Sequence, residues 1–251
     1  MTTSNQLTTV LTALEVLEIL ESEGEIGPSK LAERLDIARP TAYKYLATLT
    51  EGGYARNDDG VYRPSYKVLG LGSRLKYRQT LFKVGQEPLR RLASKLEEPA
   101  FLGIEESGEW IVLHREGDVA SLDLRTYSGL RLPLHTHAAG RVVLANMDPE
   151  QRDSTIVSQE LEARTEKTTT NPKELATELD RIREQGYAIT WDEQALGVGT
   201  AARPISAEGE FLGTVSVATL TSKMQDEDNQ DRILRLLKEA AEETLLNYRH
   251  R

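Results

Sequence analysis

GPSKLAERLDIARPTAYKYLATLTEGGYARNDDGVYR, residues 27–63, reads as a helix, a tight turn, a second helix and a two-stranded hairpin. Gly27 can cap and Pro28 suits a first helical position, where its missing N–H would be unpaired anyway. Leu31, Ala32 and Leu35 make one apolar stripe, with Ala32 small enough for a close helix crossing. Asp36 stands where the turn needs a left-handed residue, a conformation Asp tolerates, and Ile37 plugs the core. Pro40 opens the second helix. Ala42, Leu46 and Leu49 face inward, and Gly52-Gly53 ends it. Tyr54–Arg56 and Val61–Arg63 alternate like strands about an Asp59-Gly60 hairpin turn. This is the layout of a winged helix-turn-helix, whose second helix enters the DNA major groove.

The candidate DNA-binding residues follow from that layout. Ser29 and Lys30 open the first helix of the motif. Arg39, Thr41, Tyr43, Lys44, Tyr45 and Thr48 lie outward or sideways on the second, and Arg56 and Arg63 sit on the wing. Arg and Lys reach guanine edges or phosphates, while Thr and Tyr donate to phosphates or touch thymine methyls. The 251-residue chain carries a net charge of −9, which looks wrong for a DNA binder. The charge is uneven, however. Residues 26–78 hold ten basic and five acidic side chains, and the excess acid lies beyond residue 80. Phosphates respond to the field within a screening length, and there it is positive.

Composition narrows the rest. There is no cysteine, so disulfides and thiolate metal sites are excluded. No apolar run is long enough to span a membrane. MTTSNQLTTV lacks the form of a signal peptide, so a cytoplasmic protein is expected. Leu11, Leu14, Leu17, Ile19 and Leu20 mark a helix that supports the motif. A helix over about 65–84 links to a second that opens near Pro88. A hairpin turned at Ser107-Gly108 follows, then a further strand or strand pair within 121–135 and a short helix in THAAGRVVLANM. A helix is expected over 149–164, then a Thr-rich polar loop, then a helix from Pro172 striped by Leu175, Leu179 and Ile182 and stopped by Gly186. Strands turned at Glu208-Gly209 and a closing amphipathic helix from Asp231 complete the chain. Helices around hairpin-connected strands argue an α+β fold.

The order of these parts resembles the IclR family of transcription regulators. The similarity rests on LAERLDIARPTAYKYLATL with its wing, on LGLGS, on LPLHTHAAGRVVLA, on REQGYAITWDEQALGVGTAARPI and on GTVSVAT. It implies three parts: a winged helix-turn-helix DNA-binding domain over 1–66, a linker helix over 67–84, and a GAF-like effector-binding and oligomerisation domain over 85–251. The implied partners are a double-stranded DNA operator, a small organic, sugar or aromatic acid as effector, and further copies of the chain as a dimer or dimer of dimers. The family commonly has Ser-Thr and then Arg at the start of the recognition helix. Here Pro40-Thr41 and Lys44 stand there, and Lys gives up the two-pronged Arg geometry, which favours phosphate contact. Where members that bind oxo-acids carry an acid after the Gly-Tyr pair, this chain has Thr190, and a cysteine of theirs falls on Thr200. Of their two late serines, Ser216 matches and Ala218 does not.

The candidate effector residues are therefore Thr136, His137, Ala138, Thr190, Asp192, Glu193, Thr200, Arg203 and Ser216. Backbone N–H groups at 136–140 open a helix and suit an anion. Arg203 either points inward, where its fork suits a carboxylate, or is a surface charge. Trp191 either stacks on a ligand or packs. His135 and His137, two apart, would share a face on a strand, and with Asp192 and Glu193 they suggest a competing reading as a metal-assisted hydrolase. No nucleophile motif, phosphate loop or complete ligand spacing accompanies them, so no metal, cofactor or catalytic residue is expected. A ligand-independent DNA-binding protein is the third reading.

Overall fold

In the computed structural model, which describes residues 6–118, 122, 125–158 and 160–250, helix α1 (Thr8–Glu23) leads into α2 (Pro28–Leu35) and α3 (Arg39–Glu51). Gly27 caps α2 in an extended conformation, and Asp36 ends it at φ 51°, the left-handed turn the sequence requires. Strands β1 (Ala55–Asp58) and β2 (Val61–Pro64) pair antiparallel with Arg56 opposite Arg63. Asp59 and Gly60 both have positive φ, which matches the twist of a two-residue hairpin. Ile26 exchanges backbone hydrogen bonds with Tyr62, adding a short third strand. Val16, Leu20, Leu31, Ala42, Leu46 and Tyr62 form the core. The expected stripe on α1 is corrected here. Val16 and Leu20 are the buried pair, while Leu11 and Leu14 lie exposed.

Helix α4 (Lys67–Arg78) follows the wing. Its Lys67 Nζ donates to the Gly52 carbonyl at 2.7 Å and lies over the Tyr54 ring, so it closes the C-terminal end of α3. The chain divides into two units, Met1–Leu75 and Lys76–Arg251.

In the second unit α5 (Thr80–Leu96) opens after its cap residue Gln79 rather than near Pro88. Pro88 lies inside the helix and leaves the Val84 carbonyl without its usual partner. Asn247 Nδ2 donates to that carbonyl at 3.3 Å. Strands β3 (Ala100–Glu106) and β4 (Glu109–Glu116) form the expected hairpin, with Ser107 and Gly108 at positive φ. The strand read within 121–135 falls partly on residues 121, 123 and 124, outside the described residues. The described part holds only β5 (Arg131–Pro133). There follow α6 (Ala138–Asn146), α7 (Pro149–Ser158) and α8 (Pro172–Gln185). Helix α7 stops short of the expected 164, and residue 159 is outside the described residues.

Strands β6 (Ala188–Trp191), β7 (Val198–Ala207) and β8 (Glu210–Leu220) precede the short α9 (Thr221–Met224) and α10 (Glu227–Arg249). The last helix begins four residues early because Asp226 caps it. The strands make one antiparallel sheet in the order β5-β4-β3-β8-β7-β6. Leu102, Ala201, Ile205, Val215 and Val217 face α5 and α10. Phe101, Trp110, Val112, Ala202 and Ala218 face α6 and α8.

Candidate nucleic-acid face and cavity

The exposed side of α3 carries Arg39, Thr41, Tyr43, Lys44 and Thr48, while Tyr45 turns partly into the core. Lys44 is central on that side, being on the far side of the helix from Ala42, Leu46 and Leu49. Ser29 is exposed at the start of α2, and Arg56 is exposed on β1. Two other expected contacts are engaged within the protein. Lys30 pairs with Glu23, and Arg63 bridges Glu25 at 2.5 Å and Asp58 at 2.6 Å. Donation to these two carboxylates raises the Arg63 pKa.

A cavity of about 260 Å³ lies on the α6 side of the sheet. Its walls are Phe101, Trp110, Leu130, Leu132 and Val198, and its polar lining is Arg125, Thr126, His137, Gln194, Thr200 and Ser216. Gly103 makes the Trp110 position possible, because a Cβ there would fall inside the indole ring. Trp110 Nε1 donates to Thr214 at 2.8 Å and fixes the indole in place. His137 caps α6, with Nδ1 accepting from the Gly140 N–H at 3.3 Å. Its Nε2 is buried with no partner among the described residues, as is Thr126 Oγ1. Burial, with Arg141 and His135 nearby, pushes the His137 pKa down to about 3.

Of the nine expected effector residues, the cavity brings together His137, Thr200 and Ser216. The other six are not among its lining residues. Arg203 shares the opposite sheet face with Ala201 and Ile205, stacking on Tyr187 and donating to the Gly186 carbonyl. Thr136 donates to the Pro133 carbonyl and to Gln194. Thr190 lies behind Thr200, their hydroxyls 2.8 Å apart. Asp192 accepts from the Gly197 N–H and from Thr221, bracing its own loop. Glu193 is buried against Arg141 and accepts from the Thr169 N–H. The Ala138 N–H donates to Thr200 at 3.0 Å, so with Gly140 also engaged the expected anion seat at the helix start is mostly closed.

His135 and His137 do not act as a pair. Strand β5 ends at Pro133, and His135 Nε2 instead meets the Glu162 carbonyl at 2.9 Å. Trp191 sits outside the cavity lining, partly exposed beside Arg141 and Glu193. Among the described residues, no three His, Asp or Glu side chains converge where a metal could be held. Sequence reasoning missed Arg125, Thr126, Trp110 and Gln194.

Two polar pins hold the surrounding loops. Arg141, fully buried, binds both Glu178 oxygens and Glu193 and also donates to the His135 carbonyl. Through Glu193 it ties the Thr-rich loop to α6. Lys76, at the end of α4, reaches Ser128 at 3.0 Å and His114 at 3.1 Å, and His114 meets Glu116 at 2.9 Å. Ser128 belongs to the loop that carries Arg125 and Thr126 to the cavity. Burial lowers the pKa of both Lys76 and His114.

Comparison with known proteins matches residues 75–244 to the family model "Bacterial transcriptional regulator IclR C-terminal" and residues 9–59 to "IclR helix-turn-helix domain". The chain is 30% identical over 243 residues to the protein named "Probable HTH-type transcriptional regulator ArcR" of Halobacterium salinarum, covering 94% of this chain and 92% of that one. A crystal structure of an IclR protein from Thermotoga maritima superposes with a TM-score of 0.81 at 27% identity, covering 97% and 99% of the two chains. An IclR homologue from Microbacterium hydrocarbonoxydans, solved with 4-hydroxybenzoate, superposes with a TM-score of 0.83 at 22% identity, covering 97% and 98%. No helix among the described residues is long and apolar enough to cross a membrane.

Proposed function

The chain belongs to the IclR family of transcription regulators, and on that premise we propose that a small molecule in the cavity beside His137 sets its affinity for a DNA operator. Members of this family regulate transcription and are not enzymes. The observation that carries the reading is the presence of two separate features in one chain. One is a helix face of Arg39, Thr41, Tyr43 and Lys44 on a winged helix. The other is a cavity lined by buried polar atoms that no described residue satisfies. Buried donors without partners are costly, and a ligand relieves that cost. The 4-hydroxybenzoate of the Microbacterium homologue is consistent with a small acid as effector. A ligand acts on DNA affinity only through its unequal affinity for two states of the protein.

The proposal includes self-association. No residue of α4 is buried, and Leu69, Leu71 and Leu75 lie open along it, as do Leu11 and Leu14 on α1. A second copy covers these faces, and the regulator works on DNA in the cytoplasm.

The test uses duplexes selected by the full-length protein from a random pool. Replacing Arg39 and Lys44 together by Ala weakens binding to them at least tenfold in fluorescence anisotropy, with the melting profile of the protein preserved. Unchanged affinity in that variant removes α3 as the DNA-reading element. Small acids that stabilise the folded protein in a melting screen are then expected to shift that same affinity.

A further inference from the structure

The fold dictates where the His137 proton sits. Nδ1 accepts from the Gly140 N–H and so carries no proton. Burial keeps the ring uncharged throughout the physiological range. A neutral imidazole has a single N–H, which must therefore lie on Nε2. That nitrogen is buried with no partner among the described residues, in a residue that lines the cavity, and the ring is held against the Trp110 indole at 4.9 Å between centroids. The donor left over by the fold thus belongs to a residue of the cavity wall.

The rest of the lining limits what can accept from it. Arg125 is the one charged side chain among the described lining residues, and no described carboxylate joins it. Thr126, next in sequence, offers a second buried hydroxyl. The remaining wall is predominantly aromatic and aliphatic. An amine or a zwitterionic amino acid would bury an ammonium with no counter-charge. A polyhydroxylated sugar acid would press hydroxyls against Phe101, Trp110, Leu130 and Leu132. The cavity volume is below the ~300–1,000 Å³ usual for drug-sized ligands, so the occupant is compact.

We propose that His137 is the specificity-determining residue of the cavity: its Nε2–H reads an acceptor oxygen on a compact, apolar-bodied monocarboxylic acid whose carboxylate pairs with Arg125. This rests on the effector reading above and narrows it, since sugar acids and amino acids fall outside. An isostere lacking the acceptor leaves the buried N–H unpaired and binds more weakly.

The experiment is calorimetric titration of the full-length protein with four probes. Two are 3-oxo- and 4-oxocyclohexanecarboxylate, one is cyclohexanecarboxylate, and the last is the uncharged 4-oxocyclohexanecarboxamide. At least one oxo-acid is expected to bind about ten- to a hundredfold more tightly than cyclohexanecarboxylate. His137→Asn keeps a side-chain cap for α6 but removes the Nε2–H, and it should bind the two kinds of acid within about threefold of each other. Arg125→Gln, at an exposed position, should lose affinity for every acid while keeping the preference for the ketone.

Wild-type protein that binds acids without preferring a ketone overturns the inference, as does His137→Asn that keeps the preference. Tight binding of the amide with no binding of the acids overturns it too, yet leaves the cavity as an effector site. Silence from all four probes, both in heat and in affinity for selected DNA, overturns the inference and the effector reading together.

Discussion

His137 holds the first turn of α6 and also keeps a donor in the cavity, and both roles require it to be neutral. Its pKa in the folded protein, about 3, lies far below the ordinary 6.5. Protonation therefore favours the unfolded chain. The stability that depends on neutral His137 is complete above pH 6.5 and is lost as the pH falls from there towards 3, at about 1 kcal/mol per pH unit. Burial lowers His114 and His135 in the same sense. Urea unfolding of the second unit should show a lower midpoint at pH 5 than at pH 7, with a smaller drop in His137→Asn; equal drops would contradict the neutral, buried ring. The expected site residues that lie away from the cavity teach a related lesson. Thr200 and Arg203 are three apart on β7, and a strand without a bulge between them sends such residues to opposite faces. The irregularity in β7 comes later, at Ile205/Ser206. Parity alone could have separated them. Arg125 and Thr126 were not legible in this way, because they reach the cavity from a connection that has no periodicity to read.

At the scale of elements, sequence patterns identified most helices and turns but not always their ends. Asp36, Gly186 and the paired turn residues at 107–108 and 208–209 act through backbone conformation, which is local, and each sits at a positive φ that its type tolerates. Pro88 misled because a proline inside a helix is tolerated only with outside help, and that help comes from Asn247 on α10, more than 150 residues away in sequence. Gly103 is a similar case. Nothing in AFLGIEE announces that an indole will lie across the glycine, yet the hairpin register makes it so. Gly103→Ala should displace Trp110, cost on the order of 1–3 kcal/mol through overpacking and abolish acid binding in the titration above. Near-wild-type unfolding and intact binding in this variant would contradict the close packing of β3 against the indole.

For the whole molecule, the open leucines of α1 and α4 and the uneven charge belong together. A chain with a net charge of −9 resists indiscriminate self-association, so contacts between copies must come from specific apolar faces. Light scattering of the wild-type protein should give a multiple of 28.0 kDa. Leu69→Glu combined with Leu75→Glu should lower it towards one chain. A mass unchanged by the pair would place the contact between copies elsewhere. The wing arginine carries a quieter consequence. With Glu25 and Asp58 paired to it, Arg63 brings no net positive charge to a phosphate and displaces few of the cations condensed on the DNA. Lys30 is in the same position with Glu23. The salt sensitivity of operator binding therefore counts fewer cations than the sequence of the motif contains. It reports chiefly Arg39, Lys44 and Arg56, and a larger share of the affinity must survive in concentrated salt.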